Sequence, residues 1–152
     1  EIEPRYSIET IEVELEVPAT IPSQQLTDST GRTVSFPKFR SSCIVTCAVD
    51  IDTRTGSIVR ASVKDSSLDL GLAEPPSSDL EHNSAMNILY IQVINPSDCI
   101  TIASDKKSFR INAEMEAKVH YEIIWMNTTP PVPSLYEDLY FNISGSATYR
   151  TA

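Results

Sequence analysis

The sequence predicts an all-β fold, an antiparallel β-sandwich that is jelly-roll-like with little helix, and three observations predict it. Residues 109–123 alternate without a break: Phe109, Ile111, Ala113, Met115, Ala117, Val119, Tyr121 and Ile123 on one side, Arg110, Asn112, Glu114, Glu116, Lys118, His120 and Glu122 on the other. Ile11, Val13, Leu15 and Val17 alternate in the same way with Glu12, Glu14 and Glu16. Two further alternating runs, 43–51 and 58–64, flank Asp52-Thr53-Arg54-Thr55-Gly56, whose glycine suits the positive φ of a hairpin loop. Side chains of a strand point alternately to its two faces, so each run describes a sheet with one dry and one wet side.

The elements follow in chain order. Strand 11–17 is half-buried and ends at Pro18; Ile8 has the opposite parity, which predicts a bulge near Thr10 or a separate segment. The glutamate row guards that strand against edge-to-edge pairing. Residues 18–42 hold Pro18, Pro22, Pro37 and the turn Asp28-Ser29-Thr30-Gly31, and read as a long excursion with one short strand at 34–36. Strand 43–51 turns Cys43, Val45, Cys47, Val49 and Ile51 inward; strand 58–64 returns with Val59, Ala61 and Val63 inward and Arg60, Ser62 and Lys64 outward. Residues 65–86, centred on Pro75-Pro76, form a surface loop with a helical turn from Ser78, where Asp79 and Glu81 favour the N-terminal end.

Segment 88–94 is almost wholly apolar and reads as a strand covered on both faces. Asn95-Pro96-Ser97-Asp98 turns into 99–103, and Ser104-Asp105-Lys106-Lys107 turns into the long strand. Good helix formers and a Glu114–Lys118 pair at i,i+4 make a helical rival for 109–123, but a period of two held over that length outweighs it. At about 3.3 Å per residue the run would reach roughly 50 Å, so it bends at Ala113 or Ala117 or serves as the spine of the sandwich. A proline hinge at 130–134 precedes a last strand near 139–149, and the whole of 1–152 reads as a single β-sandwich domain without internal repeats.

Composition narrows the function. The net charge is −9, the opposite sign to a surface that grips phosphates, so direct nucleic-acid binding by these residues is not expected, nor is attraction to an anionic leaflet. No apolar run approaches the length of about 20 residues that a membrane-spanning helix needs. The chain begins at Glu1 rather than Met, so a leader or a basic arm upstream stays open. Three cysteines, an odd number, argue against a disulfide framework. Cys43 and Cys47 lie about 13 Å apart in extended chain and cannot bridge; Cys99 reaches one of them only if their strands are neighbours. All three read as small buried hydrophobes of a reducing compartment.

Chemical signatures are lacking, and no residue is assigned as catalytic, cofactor-binding or metal-binding; the chain does not read as an enzyme. Glycines at 31, 56, 71 and 145 form no phosphate loop, Cys43-x-x-x-Cys47 lacks the second pair of a zinc site, and no nucleophile elbow is present. His120, between Lys118 and Glu122 on the wet face, reads as a solvated structural histidine. Asp50/Asp52 and Asp65/Asp69 flank strand ends, but Gly56 comes one position late for a calcium loop. Asn127-Thr128-Thr129 and Asn142-Ile143-Ser144 are glycosylation sequons that matter only if the chain is exported. Pro130-x-x-Pro133 and Tyr136-Glu137-Asp138-Leu139 look like short recognition motifs, and an ordered hinge explains them with less.

Two stretches resemble the shell domains of small RNA-virus coat proteins, which are jelly rolls. They are Thr55-Gly56-Ser57-Ile58-Val59-Arg60-Ala61-Ser62-Val63-Lys64-Asp65 and Ala117-Lys118-Val119-His120-Tyr121-Glu122-Ile123-Ile124-Trp125 with the proline hinge after it. The resemblance implies a viral capsid-type subunit of a virion or host cytoplasm. It would act by self-association into a homo-oligomer through protein–protein interfaces, without cofactor. The chain departs from that family in its acidity and in lacking a basic N-terminal arm. The alternative is a secreted or cell-surface adhesion or recognition sandwich presenting 18–42 and 65–86. A carbohydrate-active sandwich, the third reading, needs carboxylates or aromatic rings clustered in a groove.

Overall fold

A computed structural model describes residues 7–68, 77–78, 82–125 and 132–151. The described residues form ten strands: β1 (Ile8–Ile21), β2 (Gln24–Thr27), β3 (Thr33–Phe36), β4 (Phe39–Asp52), β5 (Ser57–Leu68), β6 (Ser77–Ser78), β7 (His82–Val93), β8 (Ile100–Ile102), β9 (Ser108–Trp125) and β10 (Leu135–Arg150). One sheet has the order β1-β4-β5, the second β10-β9-β7-β6 with β8 also on β9, and β2-β3 form a hairpin of their own. Every pairing is antiparallel. The protein is an all-β sandwich with no helix among the described residues. A jelly roll is made of two Greek keys, whereas here each large sheet takes its long strands in chain order. The sandwich is present; the jelly-roll ordering is not what these paths describe.

β9 is the spine. All eight apolar positions of its alternation are buried, while Arg110, Asn112 and Glu114 are exposed and Glu116, Lys118, His120 and Glu122 half-buried. β10 pairs with it without interruption from Ser108 to Ile123. β7 and β8 occupy one lane on its other side, β7 opposite 115–125 and β8 opposite 109–111. Asn95 splices the gap between them: its Nδ2 donates to Asn112 O at 3.3 Å and its Oδ1 accepts from Glu114 N at 2.9 Å. The side-chain amide thus supplies the donor and acceptor that a continuous strand would have offered.

The sandwich stacks β1 against β10 and β5 against the β7–β8 lane. At the first seam the chains meet so closely that a β-carbon on Gly145 would overlap the Pro18 carbonyl oxygen and stand 3.0 Å from Val17 Cγ1 and 3.1 Å from Met115 Cε. The second seam is bonded: Ile58 N donates to Lys106 O at 2.8 Å and Val93 N to Ser66 Oγ at 3.2 Å. Buried side chains from both sheets form one cluster that includes Val17, Val45, Val49, Ile58, Ile91, Phe109, Met115 and Tyr121. The β2–β3 hairpin adds Leu26, Val34 and Phe36, with the Phe36 and Tyr121 rings edge to face at 4.7 Å. Its turn forms as predicted: Asp28 Oδ1 accepts from Thr30 N at 2.8 Å and Arg32 N at 3.0 Å, and Gly31 takes φ 88°.

Several sequence expectations are corrected. β1 does not stop at Pro18 but continues to Ile21, and its register with β4 is unbroken down to Ile8, so Ile8 simply faces solvent and no bulge lies near Thr10. Proline is tolerated because β1 is an edge strand. Within 18–42, between the end of β1 and the start of β4, stands the β2–β3 hairpin, two short strands where one was expected. In β5 two register shifts skip Val59 and Lys64, so Ile58, not Val59, enters the core, and Val59 is 45% exposed. β7 is covered on one face only: Leu89, skipped by a bulge, is 44% exposed, and Ile94, just beyond the strand, 49%. Ser78 pairs with Asn83 in a short bridge instead of starting a helical turn. Pro75-Pro76, residues 79–81, Asp69, Asn127 and the hinge residues 130–131 lie outside the described residues; 132–134 are irregular and β10 begins at Leu135, earlier than the predicted 139.

Candidate interaction surface

The outer face of the β10–β9–β7 sheet gathers the most chemistry. Its composition follows from register. His120 on β9 stands between Asp138 on β10 and Asn87 on β7; Lys118 stands between Tyr140 and Tyr90; Glu116 between Asn142 and Gln92; Glu122 opposite Tyr136. All these side chains share one face because partners in an antiparallel pair point the same way.

His120 is held at both ring nitrogens, Nδ1 2.6 Å from Asp138 Oδ1 and Nε2 3.0 Å from Glu122 Oε1. Ionised carboxylates accept only, so this placement favours the imidazolium, the form in which both nitrogens donate. The hydrogen bond to Asp138 and then that to Glu122 raise its pKa above 6.5, against the opposing effect of partial burial. Lys118 Nζ lies 3.8 Å from Asp138 Oδ2 and 5.5 Å from the centre of the Tyr140 ring. Tyr136 stacks on His120 with centroids 6.3 Å apart. Tyr90 donates its hydroxyl to Glu116 Oε1 at 2.7 Å, which pushes its pKa up to about 12 by stabilising the phenol beside a carboxylate. Around this bonded centre Tyr136 and Tyr140 are 58% and 59% exposed.

The opposite face, on the β1–β4–β5 sheet, is charged without aromatic rings. Asp50 accepts from Thr10 Oγ1 at 2.6 Å and from Arg60 at 3.1–3.2 Å, bonds that lower its pKa, Thr10 first. Lys64 reaches Glu12, and Ser42 Oγ donates to Glu16 Oε1 at 3.1 Å. Glu12, Glu16 and the Asp50/Asp52 pair are therefore engaged in hydrogen bonds and ion pairs. No three metal-binding side chains gather among the described residues.

The remaining candidates are dispersed. Cys43, Cys47 and Cys99 are buried free thiols; burial, reinforced by Cys99, pushes the Cys47 pKa up to about 11. His82 packs on Trp125 at 5.3 Å, with the Arg32 guanidinium 5.1 Å from that ring's centre. Asn142 is exposed in the middle of β10. Two open depressions, about 370 Å³ beside Asn112, Glu114 and Ser144–Ser146 and about 590 Å³ beside Gln24, Gln25 and Phe36, bring together neither two carboxylates nor two aromatic rings. Sequence reading missed that Tyr90, Tyr136 and Tyr140 share one sheet face; only the pairing of β7, β9 and β10 reveals it. Compared with family models, curated proteins and solved structures, the chain matches none.

Proposed function

We propose that the protein is a structural subunit that acts by protein association, including self-association, and not by catalysis. The observation that carries this reading is the pair of exposed rings, Tyr136 and Tyr140, flanking the His120 ion cluster. Tyrosines are enriched at protein interfaces, where an apolar ring and a polar tip serve a surface that is wet when free and dry when joined. The same face carries both charge signs, Lys118 and Arg110 beside Glu114, Glu116 and Glu122, as a self-complementary patch requires. A capsid-type shell subunit of a virion or host cytoplasm is the most concrete form of this proposal; the meander order of the sheets lends it no support beyond the shared sandwich class.

Sedimentation velocity over a concentration series tests the proposal. A species heavier than the monomer, weakened in a Tyr136→Ala/Tyr140→Ala variant, is expected; a monomer at every concentration removes the self-association arm. One observation favours the second reading, an exported recognition module: Asn142 of the Asn142-Ile143-Ser144 sequon is exposed on this face. The intact mass of native material decides between them, since a glycan on Asn142 is expected only of an exported chain.

A further inference from the structure

We propose that the free edge of β10 pairs with β10 of a second copy, strand to strand over residues 135–143, about a twofold axis at Leu139. This inference rests on the self-association reading above and assigns it a geometry. A strand edge carries unpaired N–H and C=O groups, which native proteins guard with charge, proline, bulges or covering elements.

The other long edges of the two main sheets are guarded. β1 presents Glu12, Glu14, Glu16 and Pro18. β5 is broken by bulges at Val59 and Lys64, carries Arg60 and Asp65, and is bonded to its neighbours through Ile58 N and Ser66 Oγ. β7 is bulged at Leu89 and has β6 beside Asn83 and Ser84. β10 differs from all three. It contains no proline, its register with β9 has no bulge, and within 135–143 the charged residues are Glu137 and Asp138, followed by the uncharged run Leu139–Ile143. Among the described residues its ladder is made with β9 alone. β1 presses on it at Gly145, whereas upstream, within 135–143, Tyr136, Glu137, Asp138, Tyr140 and Asn142 are exposed.

Register argues for a second copy as the occupant. Antiparallel pairing centred on Leu139 sets Leu135 against Ile143, Tyr136 against Asn142, Glu137 against Phe141 and Asp138 against Tyr140. No acidic residue then opposes another, which matters because like charges directly opposite destabilise a pair. Every pair also joins residues of equal parity, so core faces meet core faces and outer faces meet outer faces, as a shared sheet requires. The result is one continuous sheet across two subunits, with Tyr136 and Tyr140 of both copies on a single outer surface.

The full chain carrying Tyr136→Cys and Asn142→Cys tests this geometry. Within one chain these positions are about 20 Å apart and cannot bridge. In the pair they lie directly opposite, twice, so mild oxidation is expected to give at least about tenfold more covalent dimer in the double variant than in either single variant. Hydrogen exchange on the unsubstituted protein gives a second readout: amides of 135–143 gain protection as concentration rises. If the protein sediments as an oligomer while the double variant is trapped no better than the single ones and 135–143 gain no protection, the edge pairing is wrong and self-association stands. That result covers an edge occupied by a strand of another protein. If the protein is monomeric throughout, the edge pairing and the self-association arm of the functional proposal fall together.

Discussion

Gly145 on β10 lies against the backbone carbonyl of Pro18 on β1 with no room for a side-chain carbon between them. Its φ is not in the left-handed region, which among the described glycines is taken by Gly31 and Gly56. The requirement for glycine is therefore steric: the edge of one sheet crosses the edge of the other at this point, and a backbone carbonyl cannot swing aside as a long side chain could.

A Gly145→Ala variant is accordingly expected to lose about 3 kcal/mol of stability or more, the upper end of overpacking costs, because the obstruction is main chain. Urea denaturation measures it. A loss under about 0.5 kcal/mol would show that the seam yields and that the closed sandwich edge is misdescribed.

Asn95 makes a different demand. Its amide replaces a missing strand residue opposite β9, so Asn95→Ala leaves Asn112 O and Glu114 N without these partners. Both sites are near solvent, and the expected loss is about 1–2 kcal/mol. Faster hydrogen exchange at the Glu114 amide is the specific signature. Asn95→Asp keeps an acceptor for Glu114 N and loses the donor to Asn112 O, so it should preserve that protection better than alanine does. Equal exchange in all three proteins would count against the splice.

How far the sequence foretold these features depends on distance along the chain. The alternation of β9 was legible because one side of that strand is wholly dry, and all eight inward positions were named correctly. The turns at Asp28–Gly31 and Asp52–Gly56 were legible because glycine and aspartate act locally. What escaped depends on neighbours. Each bulge, at Val59, Lys64 and Leu89, shifts parity by one residue, and nothing in the local sequence marks it. Pro18 ends a strand only in a sheet interior, and edge position is a tertiary property. On its own strand His120 displays Lys118 and Glu122; Asp138, its closest partner, arrives from another strand 18 residues away.

The buried thiols predict a chemical silence that can be measured. Cys43, Cys47 and Cys99 are buried, and burial raises the pKa of each, Cys47 to about 11. The thiolate is the reactive form. At pH 8 a disulfide reagent should therefore find no rapidly reacting thiol in the native protein and three once denaturant is added. Fast labelling of even one native cysteine would mean that the core between the sheets opens readily.

His120 predicts how stability depends on pH. Its folded-state pKa is raised above the unfolded value near 6.5, because Asp138 and Glu122 hold the imidazolium while Lys118, facing Asp138, competes for one of them. A raised pKa means that the folded state binds the proton more tightly. The stabilisation is therefore complete below pH 6.5 and disappears as pH rises through the folded-state value. Both carboxylates are more than one-third exposed, so solvent screening keeps the effect small, and added salt should reduce it further. The comparison to make is denaturation of the parent and of His120→Gln at pH 6 and again at pH 9. The parent should hold its advantage at the lower pH and lose most of it at the higher. An advantage that grows with pH would mean the ring is neutral between its two acids, and the ion cluster at the centre of the proposed interface would have to be redrawn.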